Sequence, residues 1–350
     1  MPDLVTIAGI ALKTSLLIVA AGLLSLALRR QSAAFRHLLW TSALTLAVLM
    51  PLAVFLLPSH TIATLPSVPS PARGGGSGWG LLVWIWLVGS SIFLARELLC
   101  GVGLARWRRH AHALKSARWA ATLAKFDCRV RVLESRHIAG PCTWGVLTPV
   151  LLLPTAGDAW SESARHSALM HELAHVQRRD TVSALISRLA CVLHWYNPLV
   201  WFAAARARNL QERACDDAVL RAGAVPSDYA QFLLDVAAHV SGIERPNRSA
   251  IGMAHSSLRA RIVAILDPQA IRSQAGRTPV LASCAALFTI AVLLGMASVE
   301  TAPEPPKTPE PPPLPELPTL PTPPVPPVPV VPAVPAVPAT PATPAESPTS

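Results

Sequence analysis

The chain has 350 residues, of which 51 % are hydrophobic and 14 % charged, and it carries a formal net charge of +10. Such a composition is too apolar for an ordinary soluble domain and points to membrane spans. The six cysteines form no C-x-x-C pair, so a disulfide framework is not expected.

Four stretches reach the roughly 20 apolar residues needed to cross a bilayer: Leu4 to Leu28, His37 to Leu57, Trp79 to Leu99 and Val280 to Ala297. Lys13 interrupts the first and is read as a side chain that snorkels or faces a bundle interior. Arg29 and Arg30 follow this stretch where a cleavage site would stand, so it is a retained helix and not a signal peptide. The first loop carries Arg29, Arg30 and Arg36 and is expected inside; the next, Pro58 to Gly78, holds only Arg73 and is expected outside. The basic region from Arg106 to Arg277 is then cytoplasmic, and both termini lie outside the cell. Positive-inside bias and contact with anionic membrane lipid account for the net charge, so direct nucleic-acid binding is not expected.

Four regions follow. Residues 1–104 form a three-span membrane unit, 105–278 a cytoplasmic unit with its own core, 279–298 a fourth span, and 299–350 a Pro-rich tail. The tail reads P-P-P-L-P-E-L-P and then P-A-V-P-A-V-P, which favours polyproline II and disorder over helix or sheet. Fully extended it would span on the order of 150 Å, as a spacer or a ligand for an envelope partner.

The cytoplasmic region is mostly helical in pattern, with one exception. Cys128 to Glu134 alternates like a strand, Gly140 to Gly145 is a turn signal, and Val150 to Leu153 is a short apolar run closed by Pro154. A small sheet or hairpin is therefore expected before the next helix, for which Ser161 is the N-cap. The apolar run Val182 to Ala205 is long enough for a fifth span, but Arg188, His194, Asn197 and Pro198 interrupt it. It is read as a buried or membrane-abutting helical hairpin broken near His194 to Pro198.

His171-Glu172-Leu173-Ala174-His175 reads H-E-x-x-H within a run free of Pro and Gly. Histidines four apart share a helix face and can reach one Zn²⁺, with the intervening glutamate as general base. Glu212 and Asp216 are again four apart. Glu212 can complete a His₂Glu ligand set, and Asp216 can accept the second ring N–H of a ligand histidine. Asp217 and Asp180 compete as carboxylates, Asp180 being read as a structural contact at the helix end. Cys215 could also bind zinc but points about 100° away from Asp216.

These residues sit in a wider pattern. It comprises Gly140-Pro141-x-Thr143-x-Gly145, then Leu152-Leu153-Pro154, H-E-L-A-H through Asp180, His194-Trp195-x-Asn197-Pro198, Glu212-x-x-Cys215-Asp216 and Leu258-x-x-Arg261-Ile262. Over about residues 1–298 the chain resembles the BlaR/MecR-type antirepressor membrane zinc peptidases, relatives of the prenyl-protein endopeptidases. The resemblance implies a mainly α integral membrane protein of four spans with a zincin-type, gluzincin-like α+β metalloprotease domain. It implies zinc on His171, His175 and Glu212, Glu172 as base and Asp216 as orienter. It also implies that Val150, Leu151, Leu152 and Leu153 form the edge strand that holds substrate. His255 and Arg261 would steady the oxyanion.

The expected role is cleavage of a cytoplasmic protein, such as a winged-helix repressor, with self-cleavage in activation, at the bacterial inner membrane. A homodimer is left open. Antibiotic-sensing members carry a penicillin-binding domain after the fourth span, where this chain has the Pro-rich tail, so β-lactam sensing is not expected. The competing reading is a non-enzymatic envelope scaffold or energy-transducer-like protein acting through that tail.

Overall fold

The computed structural model describes residues 4–58, 60–65, 78–109, 111–127, 130–138, 140–243 and 248–301. The Pro-rich tail from residue 302 on lies outside them. In chain order come helices α1 (Leu4–Ala27) and α2 (Ala33–Leu56), strand β1 (His60–Leu65), helix α3 (Gly78–Arg109), strand β2 (His112–Ala113) and helix α4 (Ala117–Leu123). Strands β3 (Arg131–Ser135), β4 (Cys142–Trp144) and β5 (Val150–Pro154) follow, then helices α5 (Glu162–Arg178), α6 (Asp180–Leu193) and α7 (Pro198–Arg221). Helices α8 (Pro226–Ile243), α9 (Arg248–Leu266) and α10 (Arg277–Met296) and strand β6 (Ala297–Thr301) complete the set.

Four helices are long and apolar enough to cross a membrane: α1, α2, α3 and α10. They coincide with the four stretches expected from hydropathy. α3 runs on unbroken past Leu99 to Arg109, so the boundary expected at residue 104 falls inside a helix. β1 and β6 pair in parallel, which puts the ends of α2 and α10 on one side. Lys13 reaches the carbonyl of Gly295 at 3.4 Å, near that same end of α10. It faces a neighbouring helix terminus, where a cation complements the exposed carbonyls.

The hairpin expected over Val182 to Ala205 is α6–α7, turning at His194 to Asn197. Asn197 caps α7 by accepting from Leu199 N at 3.0 Å, with Pro198 in the first turn, where its missing N–H costs nothing. The hairpin does more than abut the spans. At its tip His194 Nε2 donates to the Ala47 carbonyl at 3.0 Å, and Asn197 Nδ2 donates to Ser15 Oγ at 3.0 Å. Ala47 lies about 21 Å along α2 from its start, so the tip packs beside the middle of that helix. Trp195 packs so closely on Gly89 of α3 that a Cβ there would come within 2.3 Å of the indole.

This packing changes where the core sits. The largest buried cluster joins Leu17 and Ile18 of α1, Trp40 and Leu44 of α2, Ala190 of α6, Val200 and Leu210 of α7 and Leu287 of α10. The cytoplasmic region was expected to have a core of its own. It has smaller ones, around Trp119 with Leu151 and Leu153, and around Val219 with Tyr229. Its main cluster, however, is shared with the spans.

The sheet has the order β2-β3-β5-β4. β3 runs parallel to β5, and β4 and β5 form a hairpin. Gly145 in the connecting turn has φ +100, and a Cβ would meet the Thr148 carbonyl at 2.3 Å, so only glycine fits. β5 is buried throughout. Truncating one of its leucines to alanine would cost about 2–5 kcal/mol.

Candidate active site

α5 begins where its sequence signals a start: Ser161 Oγ accepts from Ala164 N at 3.2 Å. It ends at Arg179, which adopts the left-handed conformation with φ 54 and ψ 41, the one described non-glycine residue with positive φ. That single residue reverses the chain, so α6 starts at Asp180 and its first side chain folds back on α5.

On α5, His171 and His175 stand one turn apart with ring centroids 4.9 Å from each other. Glu212 of α7 faces both: Oε2 lies 3.6 Å from His171 Nε2 and Oε1 lies 3.7 Å from His175 Nε2. The three could hold one metal ion. Glu172, almost fully buried, accepts a 2.6 Å hydrogen bond from Thr143 Oγ1 on β4.

Each imidazole has a carboxylate behind it. Behind His171, Asp216 Oδ1 is 3.3 Å from Nδ1 and Tyr229 Oη is 3.0 Å from it. Tyr229 donates to Asp216 Oδ1 at 2.8 Å, which leaves its oxygen free to accept from His171 Nδ1. Arg261 grips Asp216 with Nε at 2.8 Å and Nη2 at 2.7 Å, and its Nη1 is 3.1 Å from Glu212 Oε2. Behind His175, Nδ1 meets Asp180 Oδ2 at 2.8 Å. Arg178 Nε is 3.2 Å from the same oxygen, and Cys215 Sγ is 3.5 Å from it. On the far side, His37 Nε2 of α2 is 3.8 Å from Asp180 Oδ1.

The electrostatics follow from burial and charge. Burial disfavours the imidazolium of His171, but Asp216 and Glu212 outweigh it and lift its pKa to about 10. Burial likewise opposes ionisation of Glu212, yet His171, Arg261 and His175 hold it down at about 2. Against the same burial, His171 and Arg261 keep Asp216 well below the usual carboxylate range. The pocket therefore favours a cation at the histidines, either a proton on His171 or a metal ion. Burial and Asp180 push the Cys215 thiol far up, so it stands there as a neutral S–H and a poor ligand.

The sequence-predicted residues divide as follows. His171, Glu172, His175, Glu212 and Asp216 come together. Asp180, read from sequence as a helix-end contact, sits on His175 Nδ1. The guanidinium of Arg261, expected to steady the oxyanion, is taken up by Asp216 and Glu212. The side chain of His255 lies outside the described residues. Val150 to Leu153 require a correction: β5 is hydrogen-bonded to β3 on one side and β4 on the other, so it has no free edge to offer a peptide. The edge strand beside α5 is β4. Its three residues are too short a run to read as a strand. Tyr229, Thr143 and His37 were given no role from sequence. Thr143 lay inside the Gly-Pro-x-Thr-x-Gly pattern, whereas nothing local marks Tyr229 or His37.

Comparison with known proteins bears on the same residues. The chain is 26 % identical over 143 residues to "Regulatory protein BlaR1" of Bacillus licheniformis. That match covers 39 % of this chain and 24 % of the relative, so the chain spans about a quarter of the curated protein it matches. The family model for BlaR1 peptidase M56 matches residues 68–265, a stretch that holds both histidines, Glu172, Glu212 and every residue described behind them apart from His37. By that match the chain belongs to the BlaR1 peptidase M56 family.

Proposed function

We propose that this chain is a zinc endopeptidase of the bacterial inner membrane that cleaves a cytoplasmic protein in envelope signalling. The observation that carries the reading is the convergence of His171 Nε2, His175 Nε2 and the Glu212 carboxylate, with each imidazole backed at Nδ1 by a carboxylate. Two nitrogens and a carboxylate suit zinc, and three protein donors leave the fourth tetrahedral position to water or substrate. The backing carboxylates set the tautomer in which Nε2 is the ligand atom. Zinc, when bound, supplies a Lewis acid that makes water nucleophilic near neutral pH and stabilises charge on the substrate carbonyl oxygen.

The chain's own residues do the rest. Glu172 accepts the proton of the attacking water and passes it to the leaving amine nitrogen. Thr143 occupies its Oε2, which aims the carboxylate and leaves Oε1 for the water. Arg261 and Tyr229 hold Asp216, and through it His171, in place. β4 is the edge on which an extended peptide would lie as an added strand, and its Thr143 already touches the base.

The cytoplasmic placement is supported by Arg29, Arg30 and Arg36, which flank the end of α2 that His37 brings to Asp180. The regulatory name of the relative supports a signalling substrate, for which a winged-helix repressor is our choice, with self-cleavage in activation.

The test is Glu172→Gln in the full chain. We expect zinc content unchanged and cleavage down by about 10²–10⁴-fold, with the substrate accumulating intact when cell proteins are compared with wild type. Wild-type processing by the variant would sink the peptidase reading, and a zinc-free wild type would sink the ligand assignment.

A further inference from the structure

Three arginines outside the metal site outnumber the acids around them. Arg206 and Arg213 are seven residues apart on α7 and share a face. The neighbour of Arg206, Ala207, accepts from His37 Nδ1 at 3.0 Å, which brings the first turns of α2, including Arg36, to the same level. All three arginines are half-buried. Arg206 lies within repelling range of Arg213, and Arg36 of both. None makes an ion pair or hydrogen bond with an acid among the described residues, and Arg36 Nε is buried without a partner. The acid in range, Asp217, is shared among Arg36, Arg213, Arg221 and Arg272, whose Nε is 3.8 Å away.

Half-buried like charges are costly unless an anion completes them. Guanidinium forks match phosphate oxygens, so neighbouring half-buried arginines on facing helices suit a phosphate group. The height of the cluster says where that phosphate comes from. α7 rises from Asn197, at the hairpin tip near mid-span. Arg206 is then about 13 Å along the axis and Arg213 about 24 Å. Half the hydrocarbon core is about 15 Å, so the pair brackets the headgroup layer.

We propose that Arg36, Arg206 and Arg213 form a binding site for the phosphate of an anionic lipid headgroup, between span α2 and the inserted helix α7. The site depends on the membrane placement of α2 and the hairpin and not on the peptidase reading.

The experiment is thermal unfolding of the full chain in nanodiscs of phosphatidylcholine alone or with phosphatidylglycerol. Wild type should unfold several degrees higher with phosphatidylglycerol, as expected of a ligand that binds the folded state. Arg206→Gln should lose most of that shift, and Arg36→Gln/Arg206→Gln/Arg213→Gln all of it. In phosphatidylcholine alone the triple variant should be at least as stable as wild type, because repulsion is relieved, which separates a ligand site from a structural role. Arg29→Gln/Arg30→Gln, with exposed arginines of the same loop, should keep the shift. Equal loss in that control would overturn the site in favour of general surface charge. An equal rise with inorganic phosphate in phosphatidylcholine nanodiscs would overturn the lipid assignment, and no rise in either case would overturn the site altogether.

Discussion

The two histidines of the H-E-x-x-H helix are held in different ways. His171 is supported by three helices: Asp216 on α7, Tyr229 on α8 and Arg261 on α9. His175 faces the membrane side, where Asp180 at the start of α6 stands between it and His37 on span α2. The first support is a closed network in which both Asp216 oxygens are bound by Arg261 and one also by Tyr229. The second rests on one 2.8 Å bond from a carboxylate positioned by a left-handed turn, with Arg178 and a neutral thiol alongside. One histidine of the candidate site is thus set by the packing of α7, α8 and α9 and the other by how the start of α6 seats against α2.

That contrast can be broken experimentally. Asp216→Asn should weaken zinc binding most, by about 100-fold, because it also leaves Arg261 buried with half its partners gone. Asp180→Asn should cost about tenfold, since Arg178 can turn to solvent. Chelator competition on the full chain measures both, and equal losses would erase the distinction between the two supports.

Stability against pH is the next largest effect. In chelator-treated protein, His171 titrates at about 10, above its unfolded value. Its contribution is then complete below the unfolded pKa of about 6.5 and lost as pH rises through 10. Zinc-loaded protein should not show this decline, because the metal replaces the proton, while its zinc affinity should grow with pH. Melting curves of both forms between pH 6 and 10 check the sign, and a flat chelated form would remove His171 as the proton site.

Tyr229→Phe should weaken zinc only about threefold, since Asp216 still backs His171 directly. A loss as large as that of Asp216→Asn would mean that the tyrosine, not the carboxylate, holds the imidazole. Smallest is Arg179→Gly, which should stabilise the fold by about 0.5–1 kcal/mol by relieving a left-handed residue. Measured by chemical unfolding, a destabilisation would show that the Arg179 side chain has contacts worth more than its backbone strain.

Much of the site could be read from spacing because a helix converts spacing into direction. His171 with His175, and Glu212 with Asp216, are each one turn apart, so two short patterns predicted two facing pairs. Asp180 was legible as a contact at the helix end but its partner was not: its place on His175 depends on Arg179 adopting φ 54, and nothing in Arg-Arg-Asp signals that a non-glycine residue will do so. The peptide-binding strand was misplaced for a related reason. Val150 to Leu153 is the strongest β pattern in the region because it is buried on both sides, and a strand buried in that way is paired and not an edge. The edge, β4, is three residues long and carries too few positions for alternation to register.

Hydropathy by itself determined four helices long and apolar enough to cross a membrane, and helical periodicity determined which histidines and acids share a face, because both are local properties carried by contiguous residues. Only the tertiary structure decided that the peptidase helices share their largest core with the spans, that Tyr229 and Arg261 complete the support of His171, and that His37 of a membrane helix stands behind His175. These are contacts between residues far apart in the chain, 170 positions in the case of His37 and Ala207. They follow from how amphipathic faces and buried charges are satisfied together, which no local pattern encodes.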